Sequence, residues 1–273
     1  MRKPKVSVCL PTRNGHKYLE KSIKSILNQS YNNYELIISD NNSDKKTKLI
    51  LKKFTKLNKI KIFNQIKILS STENHNFLIN KAKSNLIVFI HDDDLWNKDF
   101  LKNGVKKILK KKEYVAVFGK INRFKKNMNI YKSEKATKEL DGDFNNRIAN
   151  FLKTNFGDKL MFSIFKKNQI KNFRFSQKIF SPEIFFLYNV INSGKITFSD
   201  EMVFYKRFKF NRNVNEQNNI YGINSKTFFN FHGSFILIFL DLIKKFKFNL
   251  LLILILYRIP LFRYIFGIKL KKI

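Results

Sequence analysis

Cysteine occurs once in the 273 residues, as Cys9, tryptophan once, proline four times and glycine nine times. A single cysteine excludes a disulfide framework and a cysteine-only zinc site. Acid is scarce as well: 20 Asp and Glu stand against 54 Lys and Arg, a formal net charge of +34. Only nine of those cations are arginine, and the bidentate arginine fork is what nucleic-acid readers use on bases and phosphates. The opening segment MRKPKVSVCLPTRNG has no long apolar h-region, which predicts no secretory signal peptide and a main body in the cytoplasm. No Pro-, Gly- or Ser-rich linker interrupts the chain before about residue 225, where the composition shifts.

What is abundant is apolar and aromatic. Hydrophobic residues make up 44% of the chain, with 30 Phe and 10 Tyr, so a disordered basic tail is excluded and a sizeable core is expected. A charge of +34 suggests nucleic acid or an anionic membrane surface as partner. A Lys, Asn, Ile and Phe surplus is also what an AT-rich genome supplies by codon drift. The reading taken is that background plus a membrane-facing surface; a basic nucleic-acid-binding protein is the alternative from another class.

The first hundred residues alternate between two periods. Apolar runs at 6–10, 34–39, 66–69 and 86–90 predict strands, and helical spacing predicts helices at 16–28, from about 44 to 57, and at 75–84. Such alternation gives βαβ units and a parallel sheet covered on both faces. Beyond Phe100, helices are expected at 97–112, 143–152 and 183–191, and strands at 114–121, 128–131, 160–165 and 201–207.

Three polar clusters then fall at strand ends: Pro11-Thr12-Arg13-Asn14-Gly15, Asp40-Asn41-Asn42 and His91-Asp92-Asp93-Asp94. Ligands of open α/β sheets bind outside the carboxyl ends of the strands. Three adjacent aspartates repel one another and raise each other's pKa. A divalent cation removes that penalty, and hard ions such as Mg or Mn take carboxylate oxygens together with substrate phosphates.

Taken in order, the segment Val6 to Gly15, Ser25-Ile26-Leu27-Asn28-Gln29-Ser30-Tyr31, Glu35 to Ser43 and His91-Asp92-Asp93-Asp94-Leu95-Trp96 resemble the start of family 2 glycosyltransferases. The resemblance covers residues 5–100. It implies a GT-A fold, a mixed but mostly parallel sheet flanked by helices, that binds a nucleotide-sugar through Mn or Mg and transfers the sugar with inversion. Pro11, Thr12 and Asn14 would line the nucleotide pocket, and Asp40 would face the base, most often uracil. Asp93 would hold the metal on the diphosphate with Asp94 beside it and Asp92 as helper. Inversion needs a carboxylate to take the acceptor's proton. Glu183, in Ser181-Pro182-Glu183 eleven residues before Gly194, stands where the family has its base, with Asp158 or Asp200 as alternatives. The composition shift sets the expected catalytic domain at 1–225, with residues 1–120 expected to bind donor and 121–225 acceptor.

The chain also departs from the pattern. His91 replaces the first acid of the motif, and His75-Asn76 stands where an Arg-Asn pair is usual, leaving Asn76 in the donor set without the arginine. Arg207 and Arg212 fall where related enzymes carry a basic loop; surface charge is the expectation for each. These departures keep an inactive GT-A-like scaffold open as a third reading.

Residues 226–273 form the expected C-terminal helical extension. From Leu242 onward there are eight basic residues and no acid, among apolar runs shorter than the ~20 residues that cross a bilayer. That pattern suits a segment lying in an anionic membrane interface; packing on the main domain or an oligomer contact is the alternative. The resemblance and the tail together imply a peripheral protein on the inner face of the cytoplasmic membrane, acting on a glycan or lipid-linked acceptor in surface polysaccharide or lipooligosaccharide synthesis.

Overall fold

In a computed structural model, residues 6–125, 130–133, 139–153, 157–176 and 182–207 are described. Strand β1 (Val6–Thr12) is buried almost throughout, as a central parallel strand must be. Its alternate residues serve two cores. Val6, Val8 and Leu10 pack with Leu19, Ile23 and Ile26 of α1 (Leu19–Leu27), whereas Cys9 joins Leu78 and Ile79 of α3 (Ser71–Lys81) on the opposite face.

β2 (Tyr34–Asp40) and β4 (Leu86–Phe89) flank β1 in parallel, and β3 (Ile60–Asn64) closes that end as an edge strand beside α2 (Lys45–Lys52). β5 (Leu95–Trp96) follows the acidic run and leads into α4 (Phe100–Ile108). The second half contributes β6 (Tyr114–Phe124), β7 (Ile130–Ser133), α5 (Phe144–Lys153), β8 (Ile164–Lys166), α6 (Pro182–Ser193) and β9 (Lys195–Arg207). The sheet runs β3-β2-β1-β4-β8-β6-β9-β5, with β7 paired to β6. β8 is antiparallel to both β4 and β6, so it joins two parallel blocks. α1 and α4 cover one face; α3 and α6 cover the other.

The expected mixed, mostly parallel α/β sheet is present, with corrections in detail. The third strand is Ile60–Asn64, not 66–69. The chain holds two Ile-Lys-Ile triplets, at 60–62 and 66–68. Pairing starts with Ile60 opposite Leu36 and reaches Asp40 at Asn64, so β2 has ended before the second triplet begins. Residues 160–165 are not one strand but the end of a 3-10 turn, Gly157–Phe162, followed by β8. The expected helix at 97–112 starts later, at Phe100, because Leu95 and Trp96 pair with Tyr205 and Phe204 of β9. Among the described residues no helix is long and apolar enough to cross a membrane. Arg212 and the expected extension at 226–273 lie outside the described residues.

Candidate active site

The carboxyl ends of β1, β2 and β4 meet because the strands are in register: Thr12 pairs with Asp40, and Cys9 with Phe89 just before the acidic run. The turns leaving them are stitched together. Asn14 and Asn42 adopt positive φ, 55° and 54°, a conformation asparagine tolerates better than most residues. In that pose Asn14 N–H donates to Ser43 Oγ at 2.9 Å, and its side-chain oxygen accepts from Asp44 N at 2.8 Å. Asn41 N–H donates to the Thr12 carbonyl at 2.9 Å.

Thr12 Oγ1 donates to Asp92 Oδ2 at 2.6 Å, tying β1 to the acidic turn. Gly15 is required there, since a Cβ would lie 2.3 Å from that same carboxylate oxygen. Pro11 is half-buried and Asp40 is fully buried, at 0% exposure. Asp40 Oδ1 accepts from Ser43 N at 3.1 Å, while Oδ2 meets no donor among the described residues. A buried carboxylate oxygen left so costs free energy that a ligand N–H recovers.

Asp93 and Asp94 are buried, at 5% and 1% exposure. Ligand atoms of His91, Asp93 and Asp94 lie within 4.8 Å of one another, with His91 Nδ1 3.7 Å from Asp94 Oδ2. Two buried carboxylates beside an imidazole are a donor set for a divalent cation, because burial makes their mutual repulsion costly without one. Asp92 faces the β1 turn instead. His91, which replaces the first acid of the motif, sits among the acids in the fold, its ring held edge-on by Phe162 at 5.3 Å and His75 at 6.2 Å.

A family model described as Glycosyl transferase family 2 matches residues 7–180, which spans β1 through the acidic turn and into the second half. The chain belongs to that family. A Campylobacter jejuni relative, a GalNAc(5)-diNAcBac-PP-undecaprenol beta-1,3-glucosyltransferase, is 34% identical over 184 residues, covering 66% of this chain and 57% of that one. Among solved structures, S. aureus TarS 1-349 in complex with UDP-GlcNAc superposes with a TM-score of 0.67 at 17% identity, covering 88% of this chain and 66% of that one. A Pyrobaculum calidifontis mannosyltransferase in complex with GDP-Man and Mn2+ superposes at 0.58 and 14% identity, covering 92% and 68%. The fold is therefore GT-A.

Two residues of this family 2 chain sit differently from the sequence reading. Arg207 is no surface charge. Its backbone N–H donates to Asp94 Oδ1 at 2.9 Å and its Nε to the Asp93 carbonyl at 3.1 Å. The guanidinium lies over Tyr18 at 3.9 Å and Phe124 at 4.5 Å, a pair of cation–π contacts that join the first turn to the second half. The end of β9 thus fixes the acidic turn from above; the antiparallel pairing of β5 with β9 that delivers it was not visible in a two-residue strand.

Asn76 is buried on α3, and its amide forms two bonds with the backbone of Phe175: Nδ2 donates to the carbonyl at 2.8 Å and Oδ1 accepts the N–H at 2.9 Å. The Phe175 ring stacks on Phe186 of α6 at 4.5 Å and meets His75 at 5.2 Å. An aromatic chain therefore runs from His91 through His75 and Phe175 to α6. Glu183 lies in the first turn of that helix, half-buried, just after buried Pro182. Of the alternative bases, Asp200 is exposed on β9.

Proposed function

We propose that this chain is a metal-assisted, inverting glycosyltransferase that moves a sugar from a UDP-linked donor to a hydroxyl of a lipid-linked glycan at the cytoplasmic membrane surface. One observation carries the reading: Thr12, Asp40 and the acidic turn lie at the carboxyl ends of adjacent strands, where Asp40 has a buried, unsatisfied oxygen and the acidic turn gathers residues able to hold a divalent cation. Asp40 Oδ2 accepts the N–H of the base, with Pro11 and Thr12 forming the adjacent wall. Asn14 keeps that wall in place by tying the β1 and β2 turns, and Asn76 braces the Phe175 segment.

Asp93 and Asp94, joined by His91, would hold Mn or Mg, which would neutralise the charge developing on the diphosphate leaving group. Asp92 stays on Thr12 and keeps the turn closed. Arg207 sets the acidic turn through its bonds to Asp93 and Asp94. Glu183 takes the proton from the acceptor hydroxyl as its oxygen attacks the anomeric carbon from the face opposite the diphosphate, and the bond from that carbon to the diphosphate breaks as the new one forms. The undecaprenol-diphosphate-linked acceptor of the Campylobacter relative supports a lipid-diphosphate-linked acceptor, and the nucleotide-sugars in the superposed structures support the donor class.

The test is release of nucleotide from a panel of UDP- and GDP-sugars with Mn or Mg, run beside calorimetric UDP binding. Glu183→Gln should retain UDP binding and lose transfer. Normal transfer by that variant removes Glu183 from the base role, and no metal-dependent UDP binding by the unaltered chain removes the whole reading.

A further inference from the structure

Of the six large hydrophobic side chains exposed among the described residues, four are Leu49, Leu57, Ile66 and Ile68. All four fall between Asp44 and Glu73, a stretch with nine lysines and no acid. Lys53 pairs with Glu20 and Lys61 with Glu35. Lys45, Lys46, Lys48, Lys52 and Lys56 make no ion pair among the described residues, and all are exposed. Lys48 and Lys52 also line a groove of about 340 Å³ between α2 and β3, with Ile62 and Asn64 on its other wall.

The loop after β3 is not loose. Gln65 N–H donates to the Asp40 carbonyl at 2.8 Å, Gln65 Nε2 to Ser39 Oγ at 2.9 Å, and Leu69 exchanges two bonds with the Asn41 amide at 2.7 and 2.8 Å. Held at both ends, it presents Ile66 at 99% exposure and Ile68 at 52%, with Lys67 between them. A rigid loop that exposes two isoleucines forgoes burial that folding would otherwise gain.

We propose that the face made by α2, the edge strand β3 and the 65–69 loop docks on anionic phospholipid, with Ile66 and Ile68 entering the boundary between headgroups and acyl chains. Unpaired lysines supply the attraction to the anionic leaflet and the isoleucines supply depth. Nucleic acid would match the lysines but not two apolar side chains thrust beyond them. Because the loop hangs from Asp40 and Asn41, docking sets the donor edge of the sheet at the membrane. The proposal rests on the glycosyltransferase reading only for its purpose, bringing that edge to a lipid-linked acceptor.

The test uses the full chain. Ile66→Cys carrying a bimane probe is mixed with phosphatidylcholine vesicles with and without phosphatidylglycerol; Cys9 is buried and does not compete for label. Leu109→Cys, exposed where α4 ends, away from α2, β3 and the 65–69 loop, is the reference. The probe at 66 should shift to an apolar signal with phosphatidylglycerol vesicles only, and the probe at 109 should not. Ile66→Asp with Ile68→Asp should weaken partitioning about tenfold or more, and each Gln replacing Lys48 or Lys52 about fivefold, with unchanged melting temperature.

A probe at 66 that stays aqueous while the chain pellets with vesicles overturns the proposal, because another segment then does the docking. Equal binding to neutral vesicles overturns it, as does a response of the probe to duplex DNA but not to lipid. UDP binding in vesicle-free buffer separates the two ideas: its loss from the unaltered chain defeats the enzyme reading, whereas vesicle results decide the docking face.

Discussion

Strand β2 carries a buried carboxylate near each end, Glu35 after its first residue and Asp40 at its last. Glu35 is answered from three sides: Ser7 Oγ at 2.8 Å, Lys83 N at 3.0 Å and Lys61 Nζ at 3.0 Å. Among the described residues Asp40 has a single donor, Ser43 N, on one oxygen. The amino edge of the sheet is thus closed within the protein, and the carboxyl edge is left incomplete. A carboxylate buried for the fold brings its own donors; in the proposed function the donor that Asp40 Oδ2 lacks is the N–H of the base.

The comparison can be broken by substitution. Asp93→Ala should have the largest effect, lowering transfer by about a thousandfold with little loss of thermal stability, checked by steady-state turnover beside calorimetric melting. Asp40→Asn should weaken UDP binding by about ten- to a hundredfold and leave stability unchanged or raised, since a buried charge with an unmet oxygen is removed. Glu35→Gln should do the reverse, leaving UDP affinity intact and lowering unfolding free energy by about 1–3 kcal/mol. If Asp40→Asn destabilises as much as Glu35→Gln in denaturant titration, the two ends do not differ as described.

The smallest effect is in pH. Burial pushes the Glu35 carboxyl up, but the bonds from Lys61, Lys83 and Ser7 outweigh it and leave the group below its ordinary value. Its contribution is therefore full above about pH 4.3, the unperturbed glutamate value, and is lost as pH falls through the lower folded value. The unaltered chain should lose stability more steeply than Glu35→Gln over that acid window, measured by melting temperature against pH.

Much of the donor half was legible because its signals are local. β1, β2 and β4 begin as apolar runs, and the polar clusters at their ends marked the candidate site, although β1 runs on through Pro11 to Thr12. β3 was not, because Ile-Lys-Ile occurs twice within nine residues and only pairing length along β2 chooses between the copies. The 3-10 turn before β8 mimicked a strand because Leu160, Met161, Phe162, Ile164 and Phe165 read as one apolar run, although Leu160 packs on one face of the sheet and Phe162 on the other. His91 was read from its departure from an acidic pattern, although its place beside Asp94 depends on how the turn folds back. Arg207 was hidden for another reason. Its partners Tyr18, Asp93, Asp94 and Phe124 are scattered along the sequence, and no periodicity brings them together.

The bonds from Asn76 go to the backbone of Phe175 and not to its side chain. A genetic suppressor screen started from Asn76→Ala should accordingly find no rescuing substitution at position 175, because every residue there except proline presents the same N–H and C=O. The pair would leave no trace as two positions changing together across descendants of this chain. Position 76 would look restricted by itself, the mark usually credited to a residue that touches substrate.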